Sequence, residues 1–205
     1  MQTVSVEGHE YTPSKIVCVG RNYVEHIQEL GNAMPDSMVL FHKPNSAITS
    51  ELFAYHQQEQ LHYEAELCFA IKDSQLSAVA IGLDLTKRAL QSQLKQKQLP
   101  WERAKAFDGS AIFSRFISLE GLDIASLEIE LYINCVRVQK GDTSQMLYPP
   151  CAILQEVCSY TSLQDGDILM TGTPKGVGTV ERDDLFLARI RHAGEILLEV
   201  EWVAK

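Results

Sequence analysis

The run Leu61-His62-Tyr63-Glu64-Ala65-Glu66-Leu67-Cys68-Phe69-Ala70-Ile71 alternates like a β-strand, because successive strand side chains point to opposite faces. Tyr63, Ala65, Leu67, Phe69 and Ile71 fall on one apolar face, and His62, Glu64, Glu66, Cys68 and Ala70 on the other. Two carboxylates thus share a face, roughly 6–7 Å apart at ~3.3 Å per residue, close enough to repel unless a cation or solvent intervenes. Ser77 to Thr86 repeats the pattern, with Val79, Ile81, Leu83 and Leu85 on one face and Ala80, Gly82, Asp84 and Thr86 on the other. A third carboxylate therefore arrives on a second strand. Glu64, Glu66 and Asp84 make an all-oxygen donor set without a Cys or His array, which suits Mg²⁺ or Mn²⁺ that keeps several waters. The same spacing also describes a solvated strand face.

Composition narrows the class. At 205 residues the chain buries enough surface to stand without disulfides. Its 27 acidic against 18 basic residues, a net charge of −9, disfavour nucleic acid as a partner. The cysteines Cys18, Cys68, Cys135, Cys151 and Cys158 are odd in number and lack a C-x-x-C pair, which fits a reducing cytoplasm. The amino terminus has no basic stretch followed by an apolar core, and no apolar run approaches the ~20 residues of a membrane span. The expectation is a soluble cytoplasmic protein with no membrane partner, its 205 residues forming one domain.

Along the chain, β-rich segments precede Gly20-Arg21-Asn22-Tyr23, where Asn22 is a plausible N-cap for a short helix ending at Gly31. Tyr23, His26, Ile27 and Leu30 share a face of that helix, with Glu29 three residues beyond His26. The two can form an acid/base pair in which Glu29 orients the imidazole; a helix-surface pair is the plainer reading. Lys87 to Gln98 reads as a helix with Leu90 and Leu94 inward and Lys87, Lys95 and Lys97 outward. Lys105 could offset charge on an oxyanion, and Arg21 and Lys43, each beside a turn, could clamp a carboxylate; a solvated surface charge is the plainer reading of all three. Leu127 to Val138 is a hairpin around Asn134-Cys135, Pro149-Pro150 opens a helix to Tyr160, and a last hairpin turns at Ala193-Gly194. Gly172-Thr173-Pro174-Lys175-Gly176-Val177-Gly178 fits no nucleotide-binding glycine pattern, yet its N–H groups and the Thr173 hydroxyl could hold a substrate carboxylate. Strands with a few short helices read as α+β, β-rich.

Taken in order, Gly20-Arg21-Asn22-Tyr23 with His26 and Glu29, Lys43-Pro44, Glu64-Ala65-Glu66, Leu83-Asp84 with Gln91, Pro100-Trp101 with Lys105, and the Gly172–Gly178 loop resemble the fumarylacetoacetate hydrolase family, in particular its short acylpyruvase and isomerase/decarboxylase members. The resemblance implies a mixed β-sheet roll and a homodimer. It makes Glu64, Glu66 and Asp84 metal ligands, His26 and Glu29 a dyad on a lid at residues 20–35, and Lys105, Gln91 and Thr173 substrate-facing groups. Two positions depart from the family pattern: Asn134-Cys135 where Asn-Gly is common, and Arg88-Ala89 where Arg-Asp is common. The implied activity is Mg²⁺-dependent hydrolysis of a C–C bond in small acylpyruvates, with oxaloacetate decarboxylation beside it. The alternative is isomerisation or tautomerisation of oxaloacetate or a hydroxymuconate-type dicarboxylate on the same site. A non-catalytic cation-binding protein is a third reading.

Overall fold

The computed structural model describes residues 1–205. Its principal elements, in chain order, are β1 (Lys15–Gly20), α1 (Val24–Glu29), β2 (Val39–Pro44), β3 (Ile48–Thr49), β4 (Ala65–Lys72), β5 (Gln75–Asp84), α2 (Arg88–Gln96), α3 (Glu102–Lys105), β6 (Ala111–Phe113), β7 (Leu127–Ile133), β8 (Val136–Asp142), α4 (Pro150–Tyr160), β9 (Ile168–Met170), β10 (Leu185–His192) and β11 (Glu195–Val203). A large mixed sheet runs β2-β1-β9-β4-β5-β6-β3, and Ile117–Ser118 adds an eighth strand against β5. The β9–β1 and β6–β3 pairs are parallel and the others antiparallel. A second sheet, β8-β7-β10-β11, is wholly antiparallel. The β-rich α+β reading holds, and no helix is long and apolar enough to cross a membrane.

The alternation of β4 and β5 explains how the sheets pack. Ala65, Leu67, Phe69, Val79, Ile81 and Leu83 form one buried cluster with Leu127, Ile129, Leu131, Phe186, Ala188 and Ile190 of the second sheet. Full burial of a side chain such as Phe69 stabilises by about 1.5–3 kcal/mol. Ile71, farther along the same face, is covered by Ile153 and Val157 of α4. The opposite face is buried too, since Cys18, Cys68, Ala70, Ala78, Ala80 and Ala111 pack together with Phe116 and Met170. One face of a single sheet can bury itself this way only by curling, and small side chains permit the curl. The expected solvent-lined face is therefore interior beyond Glu66, and the cleft is confined to its end.

The continuous strand expected over residues 61–71 is interrupted at Glu64. His62–Tyr63 pairs on one side with Gly178–Thr179 and, through an isolated bridge of His62 to Thr86, keeps the register that sets Ala65 against Leu83. Asp84 N–H donates to Glu64 O at 2.9 Å, and His62 and Thr86 exchange hydrogen bonds just beyond, so the two carboxylate-bearing residues face each other across paired strands. At the β7–β8 turn Asn134 and Cys135 both have positive φ, 49° and 68°, the left-handed pair of a tight hairpin, which a Cys accepts at some strain.

Candidate active site

Register brings the three carboxylates together. Glu66 lies opposite Gly82, Asp84 ends β5, and Glu64 sits at the break before β4. One oxygen from each falls within 4.8 Å of the others, and all three residues are buried. Lys105, from the end of α3, reaches over them: its ammonium is 2.8 Å from Glu64 Oε2 and 2.6 Å from both Asp84 Oδ2 and Thr86 Oγ1. Burial pushes the Glu64 carboxyl up, but Lys105, Arg88 and His26 outweigh it and hold Glu64 well below the usual range. Glu66 goes the other way. Burial first, then the neighbouring Asp84 and Glu64 charges, push it well above that range against the N–H that Gly172 donates at 2.7 Å.

These features fit a hard divalent cation. The donors are oxygens, Glu66 is short of positive charge, and buried Asp84 Oδ1 accepts no hydrogen bond although Lys43 Nζ stands 2.8 Å away, outside hydrogen-bond alignment. Lys105 serves as a stand-in cation between Glu64 and Asp84, where attraction at low dielectric is strong.

The dyad lies above this floor. His26 is buried on α1, and its Nδ1 is 3.2 Å from Glu29 Oε2. Glu29 Oε1 also accepts the Gly176 N–H at 2.9 Å, and Glu25 pairs with Lys175 at 3.1 Å. The short helix is thus pinned to the 172–178 loop by two carboxylates. Gly176 has φ +99°, and a Cβ there would come 1.9 Å from Val138 O; a side chain would push away the N–H that holds Glu29.

Several expected roles change. Asn22 does not cap α1. Its side chain donates to Tyr148 O at 3.0 Å and Thr171 O at 2.8 Å and accepts from Tyr148 N at 2.8 Å, which ties the end of β1 to two distant segments. Lys43 does not reach the cleft as a carboxylate clamp: it is fully buried, bonded to Lys105 O, Ser110 O and Ser110 Oγ and paired with Asp84. It props Asp84 and the end of α3 from beneath. Thr173 lines the cleft, but its hydroxyl donates to Ala65 O and accepts from Gln139 Nε2, both at 2.8 Å, so it braces β4 rather than meeting substrate. The N–H groups of Gly172 and Gly176 likewise hold Glu66 and Glu29 and are not free for a ligand. Gln91 lines the cleft and accepts from Arg88 Nη1 at 2.7 Å. Ala89 is exposed, so the departure from Arg-Asp costs that support nothing visible.

Sequence reasoning missed Arg88, Lys95 and Trp101. All three line the cleft with Arg21, His26, Gln91 and Lys105. Arg88 bonds Glu64 as well as Gln91. Lys87 is buried against Glu59, and Lys95 lies over the Trp101 ring, 4.9 Å from its centroid; neither points outward as expected. The signal was present in the spacing, since Arg88, Gln91 and Lys95 stand at i, i+3 and i+7 on one helical stripe. The enclosed space is about 30 Å³, room for a water or two rather than a four-carbon acid.

The sequence profile of the fumarylacetoacetate hydrolase C-terminal domain matches residues 15–201. The chain belongs to the fumarylacetoacetate hydrolase family. Within it, the mitochondrial oxaloacetate tautomerase of Bos taurus is 36% identical over 201 residues, 91% of each chain. An oxaloacetate tautomerase of Escherichia coli strain K12 is 35% identical over 191 residues, 85% of this chain and 87% of that one. The crystal structure of fumarylpyruvate hydrolase from Pseudomonas aeruginosa in complex with Mn²⁺ and pyruvate superposes with a TM-score of 0.89 at 28% identity, covering 99% of this chain and 95% of that one. This fumarylacetoacetate hydrolase family member is an enzyme, and its acidic triad is the group of side chains able to bind a metal.

Proposed function

We propose that this protein is a divalent-cation-dependent enzyme that interconverts the enol and keto forms of a small 2-oxo dicarboxylic acid, with oxaloacetate as substrate. The observation that carries the reading is one cleft in which three clustered carboxylates face Arg21, Arg88, Lys95 and the His26–Glu29 pair. Tautomerase relatives 36% and 35% identical support it. Glu64, Glu66 and Asp84 would hold the cation, Mg²⁺ first and Mn²⁺ as an alternative. Once bound, the cation supplies Lewis acidity that offsets charge developing on the keto oxygen of a 2-oxo acid.

The residues then divide the work. Glu29 accepts the Nδ1–H of His26, which leaves Nε2 as the position that exchanges a proton. In ketonisation His26 takes the proton from the C2 hydroxyl of the enol and returns one to C3, so the net change is a proton moved from oxygen to carbon. Lys105 offsets negative charge on the oxygen while C2 becomes a carbonyl. Arg21 binds carboxylate, and Gln91, held by Arg88, faces the substrate. Residues 20–35 act as the lid.

Hydrolysis of an acylpyruvate is the second reading, favoured by the likeness to fumarylpyruvate hydrolase. There His26 removes a proton from water, the resulting hydroxide adds to the distal carbonyl, and the C–C bond breaks to give a carboxylic acid and pyruvate enolate, which takes up a proton. We place the protein in a reducing cytoplasm as a homodimer; five free cysteines support the first and the family resemblance the second. Purified protein with Mg²⁺, offered enol-oxaloacetate, keto-oxaloacetate, acetylpyruvate and fumarylpyruvate, tests the assignment. Accelerated ketonisation without acylpyruvate cleavage supports the tautomerase, cleavage alone supports the hydrolase, and no turnover of any of them refutes both.

A further inference from the structure

Helix α2 presents Arg88, Gln91 and Lys95 to the cleft, but they are not equivalent. Arg88 is engaged by Glu64 and Gln91. Lys95 is half-buried and pairs with no carboxylate, and its ammonium lies over the Trp101 ring, 4.9 Å from the centroid. A partly buried amine without counter-charge is costly to keep protonated. Burial, then Arg21 and Arg88, hold Lys95 down at about 8; Glu64 opposes them and Lys105 adds to them. Arg21, from the turn after β1, has a left-handed backbone at φ 58°, and its buried Nε has no partner. Two cations from separate segments, neither paired with a carboxylate, therefore line one small cleft, while the acidic floor has its own cations in Lys43 and Lys105.

We propose that Lys95 is a specificity-determining residue that receives, together with Arg21, the second carboxylate of a small dicarboxylic acid whose 2-oxo or 2-hydroxy acid end lies toward Glu64, Glu66 and Asp84. This rests on the reading of the cleft as a 2-oxo acid site. Lys95 selects the four-carbon dianion over a monoanion with the same head group, and the Trp101 ring walls the ammonium from solvent on one side. Such a contact is charge-assisted and works only with the amine protonated.

Malate and lactate make the test, because they share a 2-hydroxy acid head and differ by a distal carboxylate at the position in question. Their binding is measured by calorimetry with Mg²⁺ for the wild type, Lys95→Met, Lys95→Arg and, as a control for long-range charge, Lys97→Met. Lys95→Met is expected to weaken malate roughly tenfold, the loss of one charge-assisted hydrogen bond, and lactate less than about twofold. Lys95→Arg should restore much of the malate affinity, and Lys97→Met should leave both ligands as in the wild type. In a Trp202→Phe background, malate should change Trp101 emission and lactate should not, with the change lost in Lys95→Met. Equal weakening of both ligands, or malate affinity unchanged in Lys95→Met, overturns the assignment. If wild type binds neither acid with Mg²⁺, the reading of the cleft itself fails, and this inference with it.

Discussion

The two sides of the cleft treat their charges in opposite ways. On the floor, Glu64 and Asp84 are buried but matched by Lys105, Lys43 and Arg88. On the wall, Arg21 and Lys95 are cations with no carboxylate against them. The floor's charges balance within the chain except at Glu66, whose carboxyl is held high for want of a cation. The wall's charges balance only when an anion arrives. A buried charge matched by its neighbours contributes to the fold, whereas one left unmatched weakens it and is explained by a ligand.

Substitution of lysine on the two sides should break this contrast most sharply. Lys43→Met removes the partner of buried Asp84 and the amine that donates to Lys105 O and Ser110 Oγ, so we expect a loss of about 3–5 kcal/mol in urea unfolding. A loss below ~1 kcal/mol would show that the floor is not held from beneath. His26→Ala should slow turnover about 10²–10⁴-fold, the usual worth of a positioned proton-transfer group, while Mg²⁺ still raises the melting temperature. Unchanged turnover removes His26 from the mechanism.

The wall sharpens the comparison through pH. Lys95 must be protonated to hold an anion, and its value of about 8 lies below that of a free lysine. Malate binding holds the proton on Lys95, so affinity in the wild type should be full below about pH 8 and fall as pH rises through it. Lys95→Met should flatten this dependence. Lys95 acts on the ligand-free fold as well. Between pH 8 and the ordinary lysine range the folded chain binds fewer protons at this site than the unfolded chain, so Lys95 weakens the ligand-free fold at low pH and the penalty fades as pH rises. Lys95→Met should then leave melting at neutral pH unchanged or raise it, which denaturation at neutral pH checks against Lys43→Met. The smallest effect belongs to the lid pair Glu25–Lys175, both side chains more than half exposed. Lys175→Met should change stability by less than ~1 kcal/mol, as exposed pairs do, with the Glu29–Gly176 contact still holding α1.

Alternation and spacing carried much of this. The shared face of Glu64 and Glu66, the His26–Glu29 contact and the hairpins at Asn134-Cys135 and Ala193-Gly194 follow from side chains two, three or four residues apart, distances that local geometry controls, whereas Asp84 joins the two glutamates only through strand pairing. Lys95 was legible in the same way, through its stripe with Arg88 and Gln91, but a lysine on a helix invites an outward reading. Other roles depend on partners far away in sequence. Asn22 meets Tyr148 and Thr171, Gln139 meets Ala65 and Thr173, and Lys43 meets Asp84 and Ser110. No local pattern marks which of many polar residues will be buried by such contacts. The second pairing of His62–Tyr63, with Gly178–Thr179, is of this kind too, since no local pattern marks it.

The most direct test is the decay of enol-oxaloacetate absorbance with wild-type protein, Glu66→Gln and Asp84→Asn, each with Mg²⁺ and after chelation. Wild-type protein should ketonise the enol rapidly with Mg²⁺, and this activity should be lost on chelation and in both variants while they remain folded. Ketonisation that survives chelation or either substitution would contradict the claim that Glu64, Glu66 and Asp84 hold the cation this enzyme works with.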